Sequence, residues 1–296
     1  MERSTRKNTR WTIKKSAPTC KEKNVNEIYN EDCLDTMRRM KENGVRCNII
    51  LTSPPYNTGR ASTSERKRDN HEARYDIHLD TMTPEQYCNW CVELFYNFDN
   101  ILERNGVVAW NVSYGADKSW NENGIGLMWL SIADIIRYTN FTVADRIIWK
   151  KNSAIPITSS TNKLTRIVED IFIFCRKSEI QTYQCNKQVS NISAKGQQFY
   201  APIYNFIEAP NNDGSCKLNK ATYSSKMCEK ILNIYSHPGD IVYDPFMGTG
   251  TTAVAVERLG LSYLGSELSA AQCEFAEERI AKERKKYTQT RIDEVL

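Results

Sequence analysis

The stretch that decides the fold is Asp244-Pro245-Phe246-Met247-Gly248-Thr249-Gly250-Thr251-Thr252. It follows the apolar run Asp240–Tyr243, which reads as a strand, and leads into a helical pattern over Thr251–Leu259. Glycines at a strand-to-helix turn let the backbone approach a ligand closely. A second strand pattern, Ser262–Gly265, comes next and ends at Glu267, before a charged terminal helix. An acidic residue at that place can bind both hydroxyls of a ribose. The turn does not complete the dinucleotide fingerprint and carries no Gly-Lys-Ser/Thr, so NAD and ATP fit poorly.

Upstream, the same alternation recurs. Glu27 to Met40 reads as a short strand and turn entering a helix, and Cys47–Leu51 as a buried strand. Thr83, Pro84 and Gln86 form a helix start with a capping box. Tyr87, Trp90, Cys91, Leu94, Phe95, Phe98, Ile101 and Leu102 then share one helical face, which reads as core packing. Asn105-Gly106 should stop this helix before a strand over Val107–Val112. A helix over 126–139, strands over 141–149 and 170–175 and a helix over 225–236 complete the pattern. Such alternation predicts an α/β fold with a doubly wound, mostly parallel sheet. Residues 178–222 are rich in Asn, Gln, Ser and Lys with isolated aromatics, and read as an insert outside the core sheet.

The strand ending at Leu51 runs into Thr52-Ser53-Pro54-Pro55-Tyr56, where two prolines force a loop. An aromatic amino nitrogen is a poor nucleophile because its lone pair is delocalised into the ring. Hydrogen bonds from its protons to fixed acceptors favour a pyramidal nitrogen. A serine hydroxyl and a proline carbonyl, held rigid by the diproline, can be those acceptors. A tyrosine beside them offers a flat face for an extruded base.

Together the two motifs resemble the DNA amino-methyltransferases that act on N4 of cytosine or N6 of adenine. Their order, with Ser-Pro-Pro-Tyr first, is similar to the permuted β group of that family. The likeness covers the chain from about residue 26. Asn30-Glu31-Asp32-Cys33-Leu34, Ile147–Lys151 and Thr165–Glu169 resemble further family segments. The resemblance implies a Rossmann-like domain over 26–296 that uses S-adenosylmethionine as methyl donor. It also implies a target-recognition insert at about 178–218 and double-stranded DNA as partner. By the same likeness, Ser53, Pro54, Pro55 and Tyr56 form the catalytic loop, and Asp244, Phe246, Gly248 and Gly250 enclose the methionine end of the donor. Glu267 takes the ribose and Asp32 the adenine.

Cytosine C5 chemistry needs a Pro-Cys nucleophile, and the chain has no Pro-Cys pair. Serine at the first catalytic position resembles the N4-cytosine enzymes. Asn219-Lys220-Ala221-Thr222-Tyr223-Ser224 is loosely similar to their His-x-Ala-x-Phe-Pro but lacks the His and the Pro, so N6-adenine stays open. An RNA or protein-glutamine methyltransferase and a non-catalytic nucleic-acid binder also stay open. A cognate restriction endonuclease is implied by the resemblance alone.

Bulk properties agree without deciding. The 296 residues are 40% hydrophobic with a net charge of +4, enough for one large domain and only mildly basic. The positive charge gathers in an arm, residues 1–25, and in a polar loop at 57–80 that contains Arg60, Arg66, Lys67, Arg68 and Arg74. Both suit phosphate contacts. The ten cysteines are scattered, which suits free thiols in a cytoplasmic setting. Cys88-x-x-Cys91 lacks a second ligand pair, so no metal site is expected. No run approaches the roughly 18 apolar residues of a membrane span, and the basic, polar N-terminus does not read as a secretory signal.

Overall fold

The computed structural model describes residues 25–57, 82–113 and 126–293, apart from 155, 160, 163, 215–218, 220 and 221; side chains beyond 286 are not described. The basic arm and the basic loop expected at 57–80 lie outside the described residues, except for Val25 and Asn57.

Among the described residues the strands are β1 (Glu27–Tyr29), β2 (Cys47–Thr52), β3 (Leu102–Val112), β4 (Phe141–Lys151), β5 (Val168–Arg176), β6 (Val189–Ile192), β7 (Gln198–Tyr200), β8 (Phe206–Ala209), β9 (Ile241–Asp244) and β10 (Ser262–Ser266). The helices are α1 (Cys33–Glu42), α2 (Pro84–Ile101), α3 (Gly126–Tyr138), α4 (Ser225–Tyr235), α5 (Thr251–Arg258) and α6 (Ala270–Asp293). Eight strands form one sheet in the order β1-β10-β9-β2-β3-β5-β4-β8, and β6 and β7 form a separate hairpin. β5 runs antiparallel to β3 and β4, and the other pairs are parallel. The α/β, mostly parallel reading is therefore correct.

Both faces of the sheet are buried, and strand alternation sorts their residues. Ile49, Leu51, Val107, Ala109, Ile171 and Ile173 join the core under α4, α5 and α6. Cys47, Ile50, Val108, Trp110, Phe172 and Phe174 join the other core, with α1, α2 and α3. Cys88 and Cys91 are buried in α2, and the eight described cysteines are free. No described helix is long and apolar enough to cross a membrane.

Two expectations need correction. Helix α2 stops at Ile101, ahead of Asn105-Gly106. The Arg176 guanidinium ends it from outside, donating to the carbonyls of Asp99, Leu102 and Glu103 at 2.8–3.0 Å. Those carbonyls would otherwise be orphaned at the helix end. Gly106 serves close packing instead, since a Cβ there would stand 2.7 Å from the Asn48 carbonyl oxygen. Nor is the 178–222 segment wholly outside the sheet: β8 extends the sheet beside β4, pairing Trp149 with Ile207. The β6–β7 hairpin does stand apart.

Candidate active site

The strand order reverses direction between β9 and β2, and ligands of open α/β sheets bind at the carboxyl ends of strands beside such a switch. The glycine-rich turn leaves β9 there and the Ser-Pro-Pro-Tyr loop leaves β2. The two are joined directly: Thr52 Oγ1 donates to Asp244 Oδ1 at 2.7 Å. Asp244 Oδ1 also accepts from the Phe246 amide at 3.0 Å. Its Oδ2 accepts from Tyr223 Oη at 2.9 Å and Thr252 Oγ1 at 2.5 Å. Burial pushes the Asp244 carboxyl up, and these hydrogen bonds oppose it. Burial also holds the Tyr223 phenol well above its ordinary value, so it stays a donor.

A cleft of about 1020 Å³, open to solvent, lies over these strand ends. Asp32 and Glu31 line it from the end of β1, Glu267 from β10, Phe246 and Gly248 from the β9 turn, and Ser53 and Pro55 from the β2 loop. Asp32 caps α1, accepting from the Leu34 amide at 2.8 Å. Glu267 accepts from the Gly248 amide at 2.8 Å and from the Ser269 amide at 2.9 Å. Burial raises its carboxyl, against those amide bonds. Asn30 Nδ2 donates to the carbonyls of Glu267 and Leu268, both at 2.9 Å, which holds the ends of β1 and β10 together.

Four of the expected site residues do not line this cleft: Asp244, Gly250, Pro54 and Tyr56. Asp244 is fully buried beneath it. Gly250 takes φ +79° as the α5 N-cap, and a Cβ there would stand 2.8 Å from Ala276 Cβ, so this glycine admits helix α6. Pro55 lines the cleft, but its carbonyl accepts from Tyr87 Oη at 2.9 Å in the buried interior. Tyr56 Oη lies 2.7 Å from Ser53 Oγ.

Other residues belong to the site without having been given a role in it from sequence. Trp90, assigned to core packing, is half-buried and lines the cleft, with its ring 5.5 Å from Phe246. Asn219 Nδ2 donates to Gln272 Oε1 at 2.9 Å at the cleft wall. Behind Ser53, Asn111 Nδ2 donates to Tyr56 Oη at 2.9 Å and to Glu169 Oε2 at 3.1 Å, and Lys151 pairs with Glu169.

Residues 47–278 match the family model described as DNA methylase, the N6/N4 type. This chain belongs to that DNA methylase family. Among curated relatives, the type II methyltransferase M.BglII of Bacillus subtilis is 22% identical over 268 residues, covering 85% of this chain and 68% of the relative. The orphan methyltransferase M.BamHII of Bacillus amyloliquefaciens is 26% identical over 272 residues, covering 81% and 92%. The solved M1.HpyAVI–SAM complex superposes with a TM-score of 0.54 at 21% identity, covering 86% of this chain and 98% of that one. The DNA methylase therefore shares its fold with a protein solved with that donor bound.

Proposed function

We propose that this DNA methylase transfers a methyl group from S-adenosylmethionine to the exocyclic N4 of cytosine in duplex DNA. The observation that carries the reading is the Thr52–Asp244 contact, which fixes the Ser53 loop against the glycine-rich turn at one cleft. The cleft chemistry fits the donor. Glu267 offers carboxylate oxygens to ribose hydroxyls, Asp32 offers one to the adenine amino group, and Phe246 and Trp90 offer flat apolar faces. Gly248, at φ +55°, has room beside it, with the nearest atom 3.5 Å from a Cβ position. The donor supplies a methyl group on a sulfonium, a carbon activated for direct attack.

The chain supplies the acceptor side. Ser53 Oγ and a proline carbonyl take the amino protons and turn the nitrogen lone pair toward the methyl carbon. Pro54, which adjoins the cleft-lining Ser53 although it does not itself line the cleft, is the proposed proline. The Pro55 carbonyl already accepts from Tyr87, whereas no hydrogen bond among the described residues reaches the Pro54 carbonyl. The transfer would be direct: the nitrogen–carbon bond forms as the carbon–sulfur bond of the sulfonium breaks, and the neutral thioether leaves with that electron pair. One amino proton is lost to solvent, and no covalent intermediate forms on the protein. A base inside a duplex cannot reach Ser53, so the target nucleotide is extruded.

The insert at about 178–218 is the proposed target-recognition region. The β6–β7 hairpin supports this, since it forms a two-stranded sheet of its own with Ile192, Phe199 and Tyr200 exposed. Serine at position 53 favours cytosine, whereas the missing His and Pro in 219–224 weaken that preference and leave N6 of adenine as the alternative. Labelled S-adenosylmethionine, unmethylated DNA and mass spectrometry of the digested nucleosides decide between them. N4-methylcytosine is expected. N6-methyladenine would overturn the choice of base, and unlabelled DNA the reading itself. A partner endonuclease remains a proposal prompted by the type II relative.

A further inference from the structure

We propose that Glu169 is a positioning residue that sets the direction of the hydrogen bonds behind Ser53. Through Tyr56 and Asn111 it makes Ser53 Oγ an acceptor toward the substrate amino group. The inference rests on the methyl-transfer reading above and concerns residues that sequence motifs do not connect.

The geometry brings the ends of three strands to the loop that follows β2. Glu169 opens β5 opposite Trp149 of β4, Asn111 ends β3 opposite Ile171 of β5, and Lys151 ends β4. Glu169 is 7% exposed and Asn111 1%. Glu169 pairs with the Lys151 ammonium through Oε1. As a carboxylate it only accepts hydrogen bonds. Its Oε2 faces Asn111 Nδ2 at 3.1 Å and Tyr56 Oη at 3.4 Å.

That acceptor fixes the rest in sequence. Asn111 must turn its nitrogen to Glu169, because its oxygen there would set two acceptors face to face. This orientation leaves Asn111 Oδ1 buried without a partner among the described residues, a cost that the carboxylate contact offsets. The two Asn111 protons then go to Glu169 and to Tyr56 Oη, 2.9 Å away, with Ser53 Oγ a longer 3.4 Å from the same nitrogen. Tyr56 gives its proton to Glu169, so its oxygen accepts from Ser53 across 2.7 Å. The Ser53 proton is thereby directed inward, and its lone pairs remain for the donor protons of a base amino group. Glutamine at 169 would reverse the chain. Its oxygen would face Lys151, which only donates, and its amide would point at Tyr56. Tyr56 would then donate to Ser53, and the Ser53 proton would face the amino group.

Glu169→Gln keeps the side-chain size and tests this. Turnover, measured at a temperature where both proteins remain folded, should fall by about tenfold or more, while donor affinity by calorimetry stays near that of the unchanged protein. In a Ser53→Ala background the same substitution should cost nothing further. Duplexes carrying a keto group in place of the target amino group supply a readout independent of turnover. The unchanged protein should bind the amino form better, and Glu169→Gln should erase that preference. Turnover within twofold of the unchanged protein, an equal penalty in the Ser53→Ala background, or a retained amino preference would each overturn the positioning role. DNA left unmethylated by the unchanged protein would instead overturn the reading on which the role rests.

Discussion

Thr52 Oγ1 donates to Asp244 Oδ1 at 2.7 Å, joining residues 192 positions apart. Through this bond the strand end that precedes the proposed catalytic loop shares a carboxylate with the glycine-rich turn that lines the cleft. Thr52→Val keeps the shape and removes the donor. Chemical denaturation should show a loss of about 1.5–3 kcal/mol, the range for a hydrogen bond to a charged group. Adding Tyr223→Phe, which takes a second donor from the same carboxylate, should cost more than the sum of the single losses.

Ser53→Ala should lower turnover by roughly 10²–10³-fold, as when a donor or acceptor aimed at the reacting group is lost. Donor binding measured by calorimetry should stay within about twofold, because the serine acts on the acceptor. Unchanged turnover would remove Ser53 from the proposed chemistry.

Burial raises the Glu267 carboxyl above its ordinary 4.5. A raised folded-state value means that the group's contribution to stability is fully present below the unfolded value and is lost as pH rises through the folded one. At neutral pH the ionised Glu267 therefore costs the free protein stability, and on the proposed role hydroxyl donors of the ribose would offset that cost. Donor affinity should weaken on acidification, starting above pH 4.5. Calorimetry from pH 8 to pH 5 should show the decline, and Glu267→Gln should bind weakly with a flat profile. A parallel decline in the variant would assign the titration elsewhere.

The two glycines of the turn should respond differently. At Gly250 a side chain meets both a φ of +79° and Ala276 at 2.8 Å. Gly250→Ala should cost roughly 2–5 kcal/mol from the two effects together, and Ala276→Gly should restore part of it. Gly248→Ala meets only the backbone penalty, about 1–2 kcal/mol, and should show itself mainly as weaker donor binding. Urea denaturation and calorimetry separate the two.

Much of this was legible in sequence because the signals are local. The Thr83–Gln86 capping box, the apolar runs of β2 and β3, and the diproline after Thr52 each express their structure within a few residues. What was hidden depends on partners distant in the chain. Helix α2 ends where Arg176 reaches its carbonyls. Trp90 shares a helical face with core aromatics, and only the position of Phe246 makes it a cleft wall. Asn111, Lys151 and Glu169 sit on three strands, so their meeting follows from sheet order. Asp244 and Gly250 are conspicuous in the motif, yet the first supports the site from below and the second admits a helix.

The central pairing of β2 with β9 also constrains how the chain is made. At 5–20 residues per second, roughly 10–40 s separate translation of Thr52 from that of Asp244. Until then β2 lacks the neighbour that completes the middle of the sheet, and its backbone presents an unprotected edge. Closing so long a loop is also entropically slow. A nascent chain that stalls before β9 would display the Ser53 loop on an aggregation-prone strand, without the glycine-rich turn that completes the cleft. Activity and protection from misassembly thus arrive in the same late step of biosynthesis.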